Sequence, residues 1–375
     1  MYHGSRNYGG LLQAYALCEF LNIYGFCAKQ IDLPAISTVA SNPLRKLVSS
    51  PWHYLKKLPC WAYEKLQELL IKVLNRSVLL DNIERNEKID SFRTHQIPHV
   101  DFSDSINDEF DVFICGSDQI WNPYAFRKEY FLEFAQKNKK RFAYAASIAK
   151  KDLPQESLEK MKPLIDNLDY VSVREISALN LLRRIEITDA IQVLDPTMLL
   201  DEETWKEKAI KPNIKQPYLF YYVLEDDKKK KRLAKKIAEK YKLELIEIPM
   251  ADNRIKSELL SVKSNKQTCV DPFGFLGLIH NAQMVITDSF HATVFAILFK
   301  KCFYALECKV TDTLYPRIEQ LLKIFDIEKN YIKNDEIDHL DLNSLSTEYS
   351  RENSFHSVRH ESRAYLINSI NDSRE

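Results

Sequence analysis

The sequence predicts an α/β protein made of two doubly wound domains that face each other across a cleft. Short apolar segments alternate with segments of helical periodicity in two separate series, and this alternation is typical of parallel sheets. The chain is also 375 residues long, which exceeds one ordinary core and suits two domains. Because ligands of such sheets bind beyond the carboxyl ends of the strands, the cleft is the expected site.

The first series lies in the N-terminal half of the chain. Apolar residues recur at helical spacing over residues 11–24, and Gly25 ends this predicted helix. Short apolar runs bounded by polar or turn-forming residues are typical of buried strands. Such runs predict strands at residues 28–33, 111–115, 141–146, 170–173 and 191–194.

The second series follows the same rules. It predicts strands at residues 218–223, 243–248, 284–287 and 302–306, with helices at 233–241, 273–281 and 290–299 between them. Residues 354–370 are predicted to form a closing helix. The basic run 228–232, at the start of the first of these helices, is predicted to be a solvated face rather than a nucleic-acid patch.

The junction between the two series, near residues 189–201, predicts the domain boundaries. We predict an N-terminal Rossmann-like domain over residues 1–188, a C-terminal one over 189–345 and a tail or helix over 346–375. Amphipathic helices broken by prolines do not fit a sheet core, so residues 43–93 are predicted to be a helical insertion in the first domain.

Composition limits the function classes. Lys and Arg together number 53, as do Asp and Glu, so no net charge directs the protein to nucleic acid. The seven cysteines include no Cys-x-x-Cys pair, which argues against a zinc site or a disulfide framework and predicts a reducing compartment. The sequence predicts no metal and no cofactor. With no bilayer-spanning apolar run and no signal-peptide pattern, we expect a cytoplasmic protein.

Five polar motifs carry the functional signal, mostly where a predicted strand meets a helix. They are residues 7–17 (NYGGLLQAYAL), 116–123 (GSDQIWNP), 173–175 (VRE), 194–197 (LDPT) and 287–295 (TDSFHATVF). In order and spacing this set resembles the polysaccharide pyruvyl transferase family, over about residues 7–322. The resemblance implies a fold similar to GT-B glycosyltransferases, with phosphoenolpyruvate as donor and a pair of sugar hydroxyls as acceptor.

The donor site is expected in the C-terminal half and at Arg174. Ser289 is placed to cap a helix whose first-turn N–H groups favour a phosphate, with His291 beside them; the alternative is a cap and a packed histidine. Arg174 could clamp a carboxylate or phosphate, or form an ion pair with Glu175 or another acid. The resemblance favours the donor role for Arg174 and His291, and adds the basic residues Lys309 and Arg317.

The acceptor site is expected on the N-terminal domain. The Asp118 carboxylate could accept a proton from a sugar hydroxyl, and two amide side chains and an indole suit a sugar. The alternative is a loop held by an aspartate cap and a buried tryptophan. Residues of the first motif are also expected at the cleft edge, whereas Asp195 is expected to form a structural turn. The predicted acceptor-side residues besides Asp118 are Gln119, Trp121, Asn122, Asn7, Tyr8 and Gln13.

The resemblance implies a transferase that moves the pyruvyl group onto sugar hydroxyls to form a ketal, with Asp118 or His291 as base. The acceptor is a sugar or a lipid-linked oligosaccharide. Two alternatives remain: a nucleotide-sugar glycosyltransferase on the same fold, and a non-catalytic sugar- or phosphate-binding protein. Some family members carry Arg-Leu where this chain has Ser289-Phe290, so one donor charge would have to come from elsewhere.

The family's first motif normally follows a buried strand, and here only six residues precede Asn7. We therefore expect the first strand to be missing, with the natural start upstream or the domain weakened, because its neighbours would lose ladder partners.

Residues 45–66 combine basic and aromatic side chains with little acid, which suits an anionic interface such as the inner face of a membrane. A lipid-linked acceptor would require such a contact; the alternative is a helical lid packed on the N-terminal domain.

If residues 45–66 bind a membrane surface, the protein is expected to co-sediment with anionic vesicles at low salt and to dissociate from them as salt rises. Absence from the vesicle pellet would leave only the lid.

Overall fold

Parallel pairing governs every sheet in this protein. A computed structural model describes residues 7–33, 84–123, 126–225, 228–248, 265–267, 269–308, 315–342 and 352–372. Within these ranges, helices flank a four-stranded and a six-stranded sheet, and every strand pair is parallel. The predicted α/β fold is confirmed.

The N-terminal part begins with helix α1, Tyr8–Ile23, which Asn7 caps by accepting a hydrogen bond from the Gly9 N–H at 3.0 Å. Two short strands then pair with each other, and four more form a sheet in the order β3-β4-β5-β6. The strands are β1 Gln30–Asp32, β2 His99–Asp101, β3 Val112–Cys115, β4 Lys140–Ala146, β5 Tyr170–Val173 and β6 Ile191–Gln192.

Helices connect these strands along the chain. The part of the predicted insertion that the structure describes, residues 84–93, belongs to a helix over residues 84–96 (α2); the rest of the insertion lies outside the described residues. The further helices of this half are α3 Ile106–Glu109, α4 Gln155–Ile165 and α5 Ile176–Arg183.

The C-terminal part contains a sheet in the order β12-β11-β10-β7-β8-β9, and its central strands β7 and β10 are wholly buried. Its strands are β7 Tyr218–Tyr222, β8 Glu244–Glu247, β9 Asn265–Lys266, β10 Met284–Thr287, β11 Cys302–Leu306 and β12 Tyr331–Ile332.

The helices of the C-terminal part cover this sheet and reach back to the N-terminal part. They are α6 Glu202–Lys208, α7 Lys228–Lys240, α8 Pro272–Asn281, α9 Phe290–Leu298, α10 Tyr315–Phe325 and α11 Glu352–Asn371. The last of them extends the predicted closing helix by a few residues.

Helix α1 packs against the C-terminal helices, which explains why it is apolar on nearly all sides. Its Tyr15 ring contacts Trp205 at 5.7 Å and Phe273 at 5.4 Å between centroids. The first helix of the chain therefore shares a core with the distant C-terminal half, and it brings its N-terminus to the junction between the two large sheets.

A cavity of 560 Å³ lies between the two-stranded and four-stranded sheets, lined by β1, β3 and the inner face of α1. Strand β1 pairs with β2, and β3 pairs with β4. The predicted absence of a strand before α1 concerns residues 1–6, which lie outside the described residues.

The basic run at the start of α7 is only partly the solvated face predicted for it, since its first and last residues are exposed but two lysines between them are buried. Lys230 is fully buried and lies 3.0 Å from the Asp288 carboxylate, and Lys231 is buried against Glu247. Both carboxylates lie at the carboxyl ends of strands, and α7 packs across those ends. Sequence periodicity could not reveal these partners, because Asp288 is 58 residues from Lys230.

Removing the Asp288 carboxylate is expected to destabilise the fold. Asp288→Ala leaves the buried Lys230 ammonium with Glu225 at 3.7 Å as its remaining charged partner in the described structure, and the expected loss is about 3–5 kcal/mol. Denaturant unfolding of wild type and variant measures it. The double variant Lys230→Met/Asp288→Asn keeps an oxygen that can accept from the backbone N–H groups of Leu224 and Glu225, and it should recover most of the loss. Equal loss in both variants would show that the ion pair is not the cause.

Candidate active site

Five charged side chains converge where the two large sheets meet. Asp118 follows β3, Arg174 follows β5, Asp195 follows β6, His291 lies in the first turn of α9, and Arg317 projects from α10. Four of them are nearly inaccessible, whereas the Asp118 side chain is 31% exposed. The sequence-predicted residues Asp118, Arg174, His291 and Arg317 are thus brought together, although about 200 residues separate the first from the last.

The Asp195 carboxylate is the centre of this cluster. Its Oδ2 accepts a hydrogen bond from Arg174 Nη1 at 2.6 Å and another from the Gln13 amide, while its Oδ1 accepts from the Thr197 hydroxyl at 2.6 Å. Burial would raise the pKa of Asp195, but the nearby His291 and Arg174 outweigh it and hold the pKa well below the usual range. Asp195 is therefore ionised and fixes the orientation of Arg174.

The two guanidinium groups approach the same point from opposite halves of the chain. Arg174 Nη2 lies 3.7 Å, and Arg317 Nη1 3.5 Å, from Asp118 Oδ1. Both groups lie over the Phe290 ring, at 4.5 and 5.5 Å from its centroid. The Nε and Nη2 atoms of each arginine are buried without a hydrogen-bond partner in the described structure. Buried N–H groups of this kind are suited to an anion.

The alternative, an ion pair of Arg174 with an acid, is present in the structure, but the partner is Asp195 rather than Glu175. One Glu175 oxygen accepts hydrogen bonds from the Ser147 hydroxyl and two backbone N–H groups at 2.9–3.0 Å. The other oxygen is 3.9 Å from Arg174 Nε, beyond hydrogen-bond length.

Burial of Arg317, followed by the charge of Arg174, lowers the pKa of Arg317 to about 10, so it remains charged at neutral pH.

His291 is held at the start of α9. Ser289 caps this helix as predicted, with its hydroxyl 3.5 Å from the Ala292 N–H. His291 Nε2 is 3.7 Å from Asp195 and has no hydrogen-bond partner within the described residues. Asp288 does not point to this helix start, because it accepts hydrogen bonds from the backbone of Leu224 and from Lys230.

Gly9 permits the close approach of α1 to this histidine. A Cβ atom at Gly9 would overlap Nδ1, Cγ and Cβ of the His291 ring. The glycine of the first motif is therefore required by packing against the last motif, and it places α1 directly behind the imidazole.

The structure brings only some of the predicted acceptor-side residues to the cleft. Asp118 has a left-handed backbone, with φ of 60°, and its carbonyl accepts a hydrogen bond from the Ser147 N–H at 3.0 Å. Gln119 is half-buried and accepts from the Asn122 amide at 3.1 Å. Asn7 is exposed at the start of α1. Asn122 itself is buried, so Gln119 is the more accessible of the two amides that follow Asp118.

Two predicted sugar contacts belong to the core instead. Trp121 is 1% exposed, stacks on Phe131 at 5.6 Å and donates its indole N–H to the Tyr130 carbonyl, so it is not available to a sugar ring. Tyr8 is equally buried, stacks on Phe275 and donates its hydroxyl to the Val270 carbonyl at 2.8 Å.

The buried Gln13 contacts Asp195 and Ser117 rather than the cleft. Lys309 lies outside the described residues.

The sequence analysis missed the central position of Asp195 in this cluster, because it treated Asp195 as a turn residue. The signal was present, because Asp195 follows a strand at the same sheet edge as Arg174.

The comparison with family models decides the relationship. The polysaccharide pyruvyl transferase model matches residues 7–309, which include Asp118, Arg174, Asp195 and His291. The chain belongs to the polysaccharide pyruvyl transferase family. A comparison with curated protein sequences finds no match to this chain.

Solved structures with a related overall arrangement include two UDP-GlcNAc 2-epimerases. The enzyme from Methanocaldococcus jannaschii is 15% identical, with 77% of this chain and 80% of that chain covered and a TM-score of 0.45. The one from Neisseria meningitidis is 12% identical, with coverage of 98% and 97% and a TM-score of 0.44. These likenesses carry no functional inference.

Gly9→Ala is expected to disturb the site through His291. The added methyl must displace the imidazole or α1, and overpacking of this kind costs about 1–3 kcal/mol. The melting temperature should fall with this cost, and turnover per folded molecule should fall as well if the overlap is relieved by moving His291 away from Asp195. Gly274→Ala, in the first turn of α8 with its nearest contacts at 3.2 Å, is the control. Wild-type turnover and melting temperature in Gly9→Ala would contradict the packing constraint.

Proposed function

We propose that the protein transfers the pyruvyl group of phosphoenolpyruvate to sugar hydroxyls and forms a pyruvate ketal. The observation that carries this proposal is the pair of buried guanidinium groups, Arg174 and Arg317, whose partnerless N–H groups meet beside His291. A donor with both a carboxylate and a phosphate supplies acceptors for such groups. The first turn of α9 adds a favourable end for the phosphate.

A small cavity lies beside the two arginines. It has a volume of 130 Å³ and is lined by both arginines, Asp195 and Phe290, together with side chains of α10 and α11. Its lining includes neither Asp118 nor His291, so its size sets no limit on the donor. The charge of Arg317 replaces the arginine that some family members carry at the position of Ser289.

In the proposed reaction, Arg174 holds the donor carboxylate, and His291 with the start of α9 holds the phosphate. Protonation of the methylene carbon makes C2 electrophilic. A sugar hydroxyl attacks C2 and gives its proton to Asp118 or His291, phosphate leaves, and a second hydroxyl closes the ketal. Fixed charges that stabilise the developing charge contribute most to the rate, because the buried site needs no solvent reorganisation.

The acceptor is proposed to approach from the side of Asp118, where Gln119, Asn122 and Asn7 supply polar groups. A sugar or a lipid-linked oligosaccharide at the cytoplasmic face of a membrane fits this proposal. Among the described residues, no helix combines the length and apolarity needed to cross a bilayer. The segment proposed for membrane contact, 45–66, lies outside the described residues.

The direct test is phosphate release from phosphoenolpyruvate in the presence of candidate sugar acceptors, with the ketal identified by its added mass and its methyl resonance. Acceptor-dependent release with ketal formation supports the proposal. Release of the nucleotide from a nucleotide sugar, with phosphoenolpyruvate neither bound nor consumed, would favour the glycosyltransferase alternative. Binding of sugar or phosphate without turnover would favour the non-catalytic alternative.

Lysine substitutions should separate charge from geometry. Arg174→Lys and Arg317→Lys keep the charge but lose the two-pronged contact, and each is expected to lower kcat/KM about 10- to 100-fold, from the roughly 1.5–3 kcal/mol of a charged hydrogen bond. Arg184→Lys, whose partner Asp152 is exposed, is the matched control and should be neutral. Full activity of Arg174→Lys and Arg317→Lys, at unchanged melting temperature, would remove the arginines from the donor site.

A further inference from the structure

Asp118 contacts both arginines and is the most accessible member of the cluster. Its side chain is 31% exposed, whereas the Arg174 and Arg317 side chains are only 3% and 2% exposed. A donor that approaches from the side of Asp118 therefore meets this carboxylate before it reaches the guanidinium groups.

The contact between Asp118 and the arginines is loose. Oδ1 lies 3.7 Å from Arg174 Nη2 and 3.5 Å from Arg317 Nη1, at or beyond the limit of a hydrogen bond. The Nη2 atoms of both arginines retain no hydrogen-bond partner in the described structure. The Asp118 carboxylate thus balances the charge of the two arginines without accepting hydrogen bonds from their N–H groups. An anionic ligand can therefore replace Asp118 as their partner.

We propose that the bound donor replaces Asp118 as the anionic partner of both arginines and that the Asp118 carboxylate then takes up a proton. This proton is the one that is transferred to the methylene carbon of the donor. This inference rests on the proposed function, and it assigns the acid of the first step, for which that function alone names no group.

The charges around Asp118 explain why its protonation state would change. Burial would raise its pKa and Asp195 adds to that effect, but Arg174, His291 and Arg317 outweigh both and lower the pKa in the empty site. When the donor's carboxylate and phosphate bind the same cations, their negative charge opposes ionisation of Asp118, so its pKa rises. A protonated carboxyl group next to the methylene carbon is then a competent acid.

The atoms balance with Asp118 acting twice. Its O–H proton moves to the methylene carbon as the C=C electron pair forms the new C–H bond, which leaves C2 electron-poor and Asp118 ionised. The first sugar hydroxyl bonds to C2 and returns a proton to Asp118. The C–O bond to phosphate then breaks, and the second hydroxyl bonds to C2 and gives its proton to the departing phosphate. One donor and one diol yield one ketal and one hydrogen phosphate. Asp118 is protonated again after the first hydroxyl has reacted, and this proton is either released to solvent or used in the next turnover.

Proton uptake on donor binding is the decisive measurement. Calorimetric titration of the protein with phosphoenolpyruvate, at pH 8 in buffers of different ionisation enthalpy, counts the protons taken up; at this pH the phosphate, with a second pKa near 6, is fully ionised. Wild type should take up about one proton per donor. Asp118→Asn, which tolerates the left-handed backbone, should take up none, and it should bind the donor on the order of 10⁴-fold more tightly, because wild type at pH 8 must protonate a carboxylate whose pKa lies below the ordinary value of about 3.9.

A second variant and a second readout separate Asp118 from its neighbour. His291→Gln should still take up the proton, because the inference assigns it to Asp118. Wild type incubated with phosphoenolpyruvate in D₂O without acceptor should exchange the vinyl hydrogens, and Asp118→Asn should not. Donor binding without proton uptake, uptake that persists in Asp118→Asn, or uptake lost only in His291→Gln would overturn the assignment. A wild type that does not bind phosphoenolpyruvate at all would overturn the proposed function itself.

Discussion

One buried carboxylate holds the two halves of this protein in register. Asp195 receives hydrogen bonds from Gln13 of the first helix, 182 residues away, and from Arg174 at the end of β5, and it faces His291 of the C-terminal sheet. An ionised group can stay buried only if its partners remain in place, because an uncompensated buried charge costs several kcal/mol. The position of each half thereby becomes a condition for the stability of the other, and the site exists only where both halves meet.

The same constraint explains why motifs so far apart in sequence contain the small and polar residues they do. Gly9 has no side chain because His291 occupies that space, and Phe290 provides a flat face on which both guanidinium groups lie. Arg174 is drawn in one direction by Asp195 and is left with unused donors in the other. A rigid anionic anchor on one side and unsatisfied cationic groups on the other are the arrangement expected of a preorganised anion site.

Sequence patterns predicted the strands more securely than the roles of side chains. Tyr170–Val173, Met284–Thr287 and Cys302–Leu306 have the bounds predicted for them, because continuous apolar runs fix fully buried parallel strands. The short strands His99–Asp101 and Tyr331–Ile332 were missed, since two or three residues carry no period. Trp121 and Lys230 were misassigned for another reason, because burial depends on partners that a pattern does not reveal. The partners of Trp121, Tyr130 and Phe131, lie in the following loop, whereas the carboxylate that pairs with Lys230 is 58 residues away. Arg174, Arg317 and His291 were found through family resemblance, which records such partners indirectly.

The Lys230–Asp288 ion pair bears on how the protein responds to salt. Both side chains are fully buried, and the ammonium and the carboxylate are 3.0 Å apart. Dissolved ions weaken exposed charge pairs but screen buried pairs much less. The link between the start of α7 and the end of β10 should therefore persist at ionic strengths that abolish exposed pairs such as Lys160–Glu156. Salt would loosen the surface of the protein before it loosens the strand ends that carry the site.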